Sequence, residues 1–252
     1  MSQQNTSFFD ELHIRSSKLL PLILYPRFSE SEYKERIEEM ESIGITSIIL
    51  DGKAIVNGVH IAGKGCVGIV VKAKVGSRVC ALKMRRTDAD RKTMYDEARL
   101  HKIANSAGVG PIIEGHTKNL IAMEFVPGDS IVDWISNNPP RSNVAALARN
   151  VLEQCFRLDK IGLDHGELSR MARHVIASDR PRIIDFETAS IRRTTCNVTA
   201  ASQSIFLYGM VANRVKNILG NTDTEKVMHV LKTYKHDSTR HNFNILLDSL
   251  SI

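Results

Sequence analysis

The chain has 252 residues, 42% of them hydrophobic and 25% charged, with a formal net charge of +6. That length and balance exclude a disordered or fibrous chain and leave room for one large domain or two smaller lobes. The basic excess suits an acidic partner such as a nucleotide or RNA without demanding one, because the basic residues are dispersed apart from small clusters at Arg85–Arg86, Arg170/Arg173 and Arg192–Arg193.

Read in chain order, the opening Met1–Asn5 lacks the charged segment of a secretory leader. Leu19–Tyr25, interrupted by Pro21, is too short to span a bilayer, so a cytoplasmic protein without a membrane partner is expected. Ser29 with Glu32 forms a capping box for a helix over 29–43; Tyr33, Ile37, Met40 and Ile43 share its apolar face, and Gly44 stops it. Thr46–Leu50 predicts a strand, Asp51–Gly52 a turn, and Val56–Ala62 one further extended piece.

The run Gly63-Lys64-Gly65-Cys66-Val67-Gly68-Ile69-Val70 comes next. Glycines of this kind let backbone N–H groups approach an anion. A dinucleotide fold would start a helix at the third glycine, whereas Ile69–Val75 is rich in β-branched residues. Gly76-Ser77 then reads as a turn and Arg78–Met84 as a return strand carrying Lys83. Asp88 lies about where a ribose ligand of a dinucleotide fold belongs, but it follows a second strand with no crossover helix between. The pattern favours a β-hairpin lid over phosphates, with Lys83 supplying a positive charge. A helix over 90–106 follows, buried through Met94, Ala98, Leu100 or His101, and Ile103. Strands at Pro111–Gly115 and Leu120–Val126 flank a Thr117-Lys118-Asn119 turn.

After Pro127-Gly128 the pattern turns helical. Helices are predicted over 129–136 and 142–161, the second with Val144, Leu147, Ala148, Val151, Leu152 and Cys155 on one face. The polar loop Asp164-His165-Gly166-Glu167-Leu168-Ser169-Arg170 precedes two short strands, His174–Ala177 and Arg182–Phe186, and three helices over 200–219, 223–235 and 239–250. Cys66, Cys80, Cys155 and Cys196 are scattered without a paired spacing, which predicts reduced thiols in or near the core. The sequon Asn197-Val198-Thr199 carries little meaning in a cytoplasmic chain.

In this order the elements resemble the protein kinase-like fold. Gly63–Val70 matches GxGxxGxV, and Ala81-Leu82-Lys83 is similar to the strand that carries the phosphate-binding lysine. Met123-Glu124-Phe125-Val126-Pro127-Gly128 resembles the interlobe hinge, and Asp185-Phe186-Glu187 the metal-binding DFG motif with Glu in place of Gly. The resemblance implies an α+β, bilobal fold with a β-rich N-lobe over 55–126 and a reduced, mainly helical C-lobe over 127–252. Residues 1–54 are then an extension of the small lobe or a docking element. It implies ATP bound by Gly63, Lys64, Gly65, Gly68, Val70 and Lys83, with the Glu124 carbonyl and the Val126 amide meeting adenine. Glu97 would orient Lys83, and Asp185 would bind Mg²⁺ or Mn²⁺.

His165-Gly166-Glu167-Leu168-Ser169 resembles the HGDLS loop of RIO-type kinases and of the kinase of the KEOPS tRNA-modification complex, with glutamate for aspartate. Asp185 follows Glu167 by 18 positions, as in kinases generally, which makes Glu167 the substitute base; Asp164 is the competing candidate. Ala172 stands where the second metal-binding asparagine is expected, and His174 either takes that role or is an ordinary strand-edge residue. The combination is most similar to a group of archaeal predicted serine/threonine kinases of atypical type. No APE motif follows, so a full activation segment is not expected, and Ile191–Thr195 is either an autophosphorylated segment or a plain loop. The resemblance implies phosphoryl transfer to a protein serine or threonine. The alternatives are an ATPase or a pseudokinase scaffold in an RNA- or ribosome-associated assembly, and a small-molecule kinase.

Overall fold

Alternation decides the strands at the centre of the chain. Ile69, Val71 and Ala73 are buried while Val70, Lys72 and Lys74 stay partly exposed, which is the period of a strand with one face on a core. The next strand is buried on both faces from Cys80 to Arg85 and is paired on both edges. The computed structural model describes residues 10–252 and is α+β. The leader expectation for Met1–Asn5 lies outside the described residues.

The chain divides into two compact units. One takes residues up to Ala98 together with Ile112–Phe125; the other takes Arg99–Pro111 together with Val126–Ile252. The first contains β1 (Asp10–His13), α1 (Leu20–Ile23), α2 (Glu30–Ser42), β2 (Ile45–Leu50), β3 (Ala54–Val56), β4 (Val59–Ile61), β5 (Gly63–Lys64), β6 (Gly68–Val75) and β7 (Arg78–Arg85). It also holds the start of α3 (Tyr95–Ser106), then β8 (Ile113–His116) and β9 (Leu120–Glu124). Its antiparallel seven-stranded sheet runs β1-β2-β6-β7-β9-β8, with β5 added on β6. Ile37 and Met40 of α2 pack with Ile48, Val71, Leu82 and Ala122 in one core, and Met94, Ala98 and Ile121 form a smaller one.

The second unit has β10 (Asp129–Ser130), α4 (Ile131–Ser136), α5 (Arg141–Lys160), β11 (Val175–Ala177), β12 (Arg182–Ile183), α6 (Asn197–Ser202), α7 (Gly209–Leu219), α8 (Thr224–His236) and α9 (Arg240–Ser249). The amphipathic face of α5 is its spine: Val144, Leu147, Val151, Leu152, Cys155 and Leu158 join Leu231, Phe243, Leu246 and Leu247 in one core. Among the described residues no helix is long and apolar enough to cross a membrane.

Several elements differ from expectation. Val56–Ala62 is not one extended piece but the second half of a hairpin, because Asn57 and Gly58 take φ of 49° and 78° and turn the chain between β3 and β4. The helix expected from 90 begins at Tyr95, since the preceding residues bond elsewhere: Arg91 O accepts from Arg85 Nη1 at 3.5 Å and Met94 N donates to Lys118 O at 2.7 Å. Asp129 and Ser130 pair with β11 before the helix starts, and Ser130 Oγ accepts from Asp133 N as its cap. The helix expected over 200–219 is broken into α6, a π-helical turn (Gln203–Leu207) and α7, with Tyr208 extended and Gly209 at φ 93°. Cys66 is exposed and Cys196 half-buried, so only Cys80 and Cys155 are core thiols.

A buried charge network fastens α2 to the sheet. Glu32 accepts from Arg36 Nη2 at 2.7 Å and from Arg85 Nη2 at 2.9 Å, while Arg36 Nη1 donates to Ile23 O. Arg85 Nε reaches Asn119 Oδ1 at 2.8 Å, and Asn119 Nδ2 reaches Glu39 at 3.1 Å. Burial lowers the Arg36 pKa, with the Glu32 carboxylate opposing that shift. Glu32→Ala is expected to cost about 3 kcal/mol, because it leaves a buried guanidinium without its counter-ion. Glu30→Ala, which removes only the exposed pair with Lys34, should cost less than about 0.5 kcal/mol. Urea unfolding of both variants checks this, and equal midpoints would overturn the role given to Glu32.

Candidate functional site

In the first unit the glycine run is a tight hairpin end. Gly65 N donates to Gly68 O at 2.8 Å, which leaves Cys66 and Val67 at the tip. The tip is strapped to the end of β7: Arg86 N donates to Val67 O at 2.7 Å and Arg86 Nη1 to Gly65 O at 3.2 Å. Gly68 packs tightly, since a Cβ there would stand 3.0 Å from Met84 O and 3.2 Å from the Lys83 side chain. The hairpin therefore lies directly against the lysine stem.

Lys83 is opposite Val70 on β6 and Ile121 on β9. Its Nζ donates to Glu97 Oε1 at 2.6 Å, and both side chains are buried. Arg91 Nη1 lies 3.7 Å from the other Glu97 oxygen. Lys64 is exposed, with Nζ 5.1 Å over the Tyr25 ring, and Gly63 pairs with Val70 across the hairpin. Glu124 ends β9, and its N–H donates to Ile112 O at 2.8 Å. Asp88 is bound to Arg86 at 2.9 and 2.8 Å, an ion pair that lowers its pKa and ties it to the glycine hairpin.

In the second unit the polar loop hangs from one buried carboxylate. Asp159 accepts from Asn197 N, Asn197 Nδ2, Val198 N and Tyr234 Oη at 3.0, 2.8, 3.2 and 3.0 Å. Burial pushes the Asp159 carboxyl up, and these four donors oppose it. Asn197 passes the constraint on: its Oδ1 accepts from His165 N at 2.8 Å and its Nδ2 also donates to Leu163 O at 2.8 Å. Asp164 is buried, accepting from Arg193 Nε at 2.9 Å and Cys196 N at 3.2 Å. Gly166 turns the chain at φ 88°, where a Cβ would come within 2.4 Å of Arg193 Nη2.

Glu167 leaves that turn partly exposed. Its Oε2 lies 3.5 Å from His174 Nε2 and its Oε1 3.9 Å from Arg170 Nη1. His174 is buried, with Nδ1 lacking a hydrogen-bond partner. His165 is fully buried and packs 5.3 Å from the His174 ring and 5.1 Å from Phe186, which in turn packs 4.6 Å from His101. Burial, and next the His174 charge, pull the His165 pKa down to about 4. The imidazole is therefore neutral at pH 7, and its contact with Ile184 O at 3.1 Å places the proton on Nε2. Asp185 follows Ile184 in the left-handed region at φ 69°, a strained conformation for a non-glycine residue, anchored by the buried Phe186.

Gly63, Lys64, Gly65, Gly68, Val70, Lys83, Glu97 and Glu124 thus belong to the first unit, and Val126, Asp164, Glu167, His174 and Asp185 to the second. The structure joins Gly68, Lys83 and Glu97, and it joins Glu167 to His174. Among the described residues no three His, Cys, Asp or Glu side chains form a ready metal cage. The Asp185 carboxylate suits an ion such as Mg²⁺, which takes one or two protein oxygens and completes its shell with phosphate and water. The His174 nitrogen is a poorer donor for that ion. Sequence reasoning missed Asp159, Asn197, Arg86 and the packing of Phe186 between His101 and His165, because each acts on a segment remote in sequence.

His165 gives a pH signature. Its folded pKa lies below the ordinary 6.5, so its contribution to stability is complete above about pH 6.5 and is lost as pH falls toward 4, by about 3 kcal/mol at most. His165→Gln is expected to flatten the stability profile over that window, as read by urea unfolding at pH 7, 5.5 and 4. An unchanged slope would contradict burial of the neutral ring.

No model of a known protein family matches the chain. Over 115 residues the chain is 25% identical to the uncharacterized protein MJ1211 of Methanocaldococcus jannaschii, a stretch that is 45% of this chain and 98% of that protein.

Proposed function

We propose that this chain is an ATP- and divalent-metal-dependent phosphotransferase of protein kinase-like fold, of the atypical RIO/KEOPS-like group, acting on a serine or threonine hydroxyl of a protein. The observation that carries this reading is the buried Lys83–Glu97 pair at 2.6 Å, directly beneath Gly68 of the glycine hairpin. A buried ion pair is a weak source of net stability. What this one contributes is a lysine ammonium fixed beside a glycine-rich hairpin whose backbone N–H groups are of the kind that bind phosphate oxygens.

Lys83 holds negative charge on the phosphates, and Glu97 sets its position. The metal ion bound with the nucleotide supplies charge neutralisation at the reacting phosphate. Asp185 offers that ion a carboxylate from a backbone position that Phe186 makes rigid. Glu167 takes the proton that the acceptor hydroxyl releases as its oxygen bonds to the γ-phosphorus and ADP leaves. Glu167 suits this role better than Asp164, because the Asp164 carboxylate is buried and occupied by Arg193 and Cys196. On this reading residues 55–126 are the small lobe, 127–252 the large lobe and 1–54 an extension of the small lobe.

The second reading is an ATPase without a protein acceptor. Ala172 favours it, since an alanine packed against the core offers no second metal ligand where an asparagine was expected. Labelled ATP separates the two. Transfer to protein should fall at least about a hundred-fold in Lys83→Met, in Asp185→Asn and in Glu167→Gln, with folding checked by thermal melts. Unchanged labelling in the first two variants would sink the phosphotransferase assignment; release of phosphate without any labelled protein would select the ATPase.

A further inference from the structure

We infer that the groove beside Glu167 in the second unit is a docking site for an acidic peptide segment, which names the substrate class of the proposed transferase and rests on that reading for its catalytic meaning. The groove has a volume of about 400 Å³, within the range of ligand sites. It begins at Ser169, two positions after Glu167, and is lined on one side by Arg170 and Arg173 and on the other by Tyr208 and Met210.

Its walls exist because two elements are broken there. The 3-10 turn Leu168–Arg173 is kinked at Arg170, which takes non-helical φ and ψ of −112° and 45°. The helical stretch after α6 stops at Tyr208, whose extended backbone and the positive φ of Gly209 put both Tyr208 and Met210 on the surface, at 58% and 63% exposure. Large apolar side chains that open to solvent beside a cavity mark a contact surface more often than a random exposed residue does.

The charge of the groove selects the occupant. Two arginines line it and no carboxylate does; the adjacent Glu167, 3.9 Å from Arg170, offsets part of that charge and leaves Arg173 as the main anion contact. Gly209, Met210 and Val211, also in the wall, open the eleven-residue α7, and its cap residue Tyr208 supplies no side-chain hydrogen bond. The positive end of that helix therefore adds to the arginines rather than opposing them. Arginine forks match carboxylates in a bidentate manner. Tyr208 and Met210 beside them suit a flanking apolar side chain of a peptide. A nucleic acid would require a longer basic track with successive stacking aromatics, and the groove offers one tyrosine.

Reach fixes the spacing. An extended chain advances roughly 3.3–3.6 Å per residue. With Ser169 two positions beyond Glu167, a serine at Glu167 would place the groove about two to four residues away along the peptide.

Direct binding tests the groove without requiring turnover. Fluorescence anisotropy with the full chain, without nucleotide, would compare serine peptides bearing glutamates two to four positions from the serine and a neighbouring leucine with matched lysine peptides and a single-stranded RNA oligonucleotide. The acidic peptide should bind at least about ten-fold tighter than the lysine peptide, the scale of one charge-assisted contact. Arg173→Glu should abolish that preference, and Met210→Ser should weaken the acidic peptide about three-fold or more, with ATP affinity unchanged in both. Equal binding of the two peptides, or an Arg173→Glu protein that keeps the preference, overturns the proposal. RNA binding that exceeds peptide binding and is lost in Arg173→Glu also overturns it, by assigning the groove to nucleic acid. If the acidic peptide binds as expected and no label is transferred to it from ATP, the groove stands and the transferase reading falls.

Discussion

A charge removed from water has to meet its opposite, and Lys83 is the place where that requirement organises the first unit. Its ammonium is buried on the central strand β7, so a carboxylate must approach it, and Glu97 does so at 2.6 Å from the first turn of α3. That fixes the start of α3 against the sheet. Gly68 then lets β6 close over the lysine stem, where a Cβ would crowd Met84 O at 3.0 Å. The same rule acts around Arg36, which is buried and drags Glu32, Arg85, Asn119 and Glu39 into one network across α2 and the sheet. Electrostatics here positions elements; burial of Ile37, Met40, Leu82 and their neighbours supplies the cohesion.

In the second unit the organising charge is Asp159. A buried carboxylate with four donors is costly to misplace, so α6, α8 and the 163–166 loop are held to one geometry through Asn197 and Tyr234. Asp164 repeats the device in the loop itself, equally buried, with Arg193 and the Cys196 amide as its donors. Two acidic residues three positions apart in sequence thus receive different jobs. Asp164 braces the loop, and Glu167 is left partly open to meet something else.

Local features were legible in the sequence because their causes are local. Ser29 caps α2, with Oγ accepting from Glu32 N at 3.4 Å, and Gly76-Ser77 turns β6 into β7 where the alternation of Ile69, Val71 and Ala73 ends. The Asn57-Gly58 turn carries the same kind of signal, inside a stretch whose apolar residues also suit one continuous strand. The late start of α3 was not legible, because partners distant in sequence, such as Lys118, hold the residues before it. Asn197 shows the limit best. As a sequence it is part of an idle sequon, and its role depends on Asp159, 38 positions earlier. The candidate site was legible as an ordered set of motifs through a resemblance; the hydrogen bonds that set its geometry were not.

The loop that ends at Glu167 keeps its remaining freedom in one place. His165 is tied through its amide to Asn197 and through its ring to Ile184 O, and its carbonyl accepts from Thr188 Oγ1 at 3.0 Å. Gly166 holds the turn at φ 88°, a backbone conformation that favours glycine, with Thr188 O close beside it. The backbone therefore arrives at Glu167 with little slack, and the partly exposed glutamate side chain is the part that can still move. His174 Nε2 at 3.5 Å is the neighbour that restrains it, from a ring packed on His165 and a backbone bonded to Ile184 N at 2.9 Å. A partly exposed acidic side chain keeps a defined position in such a loop because hydrogen bonds hold the residues that lead to it.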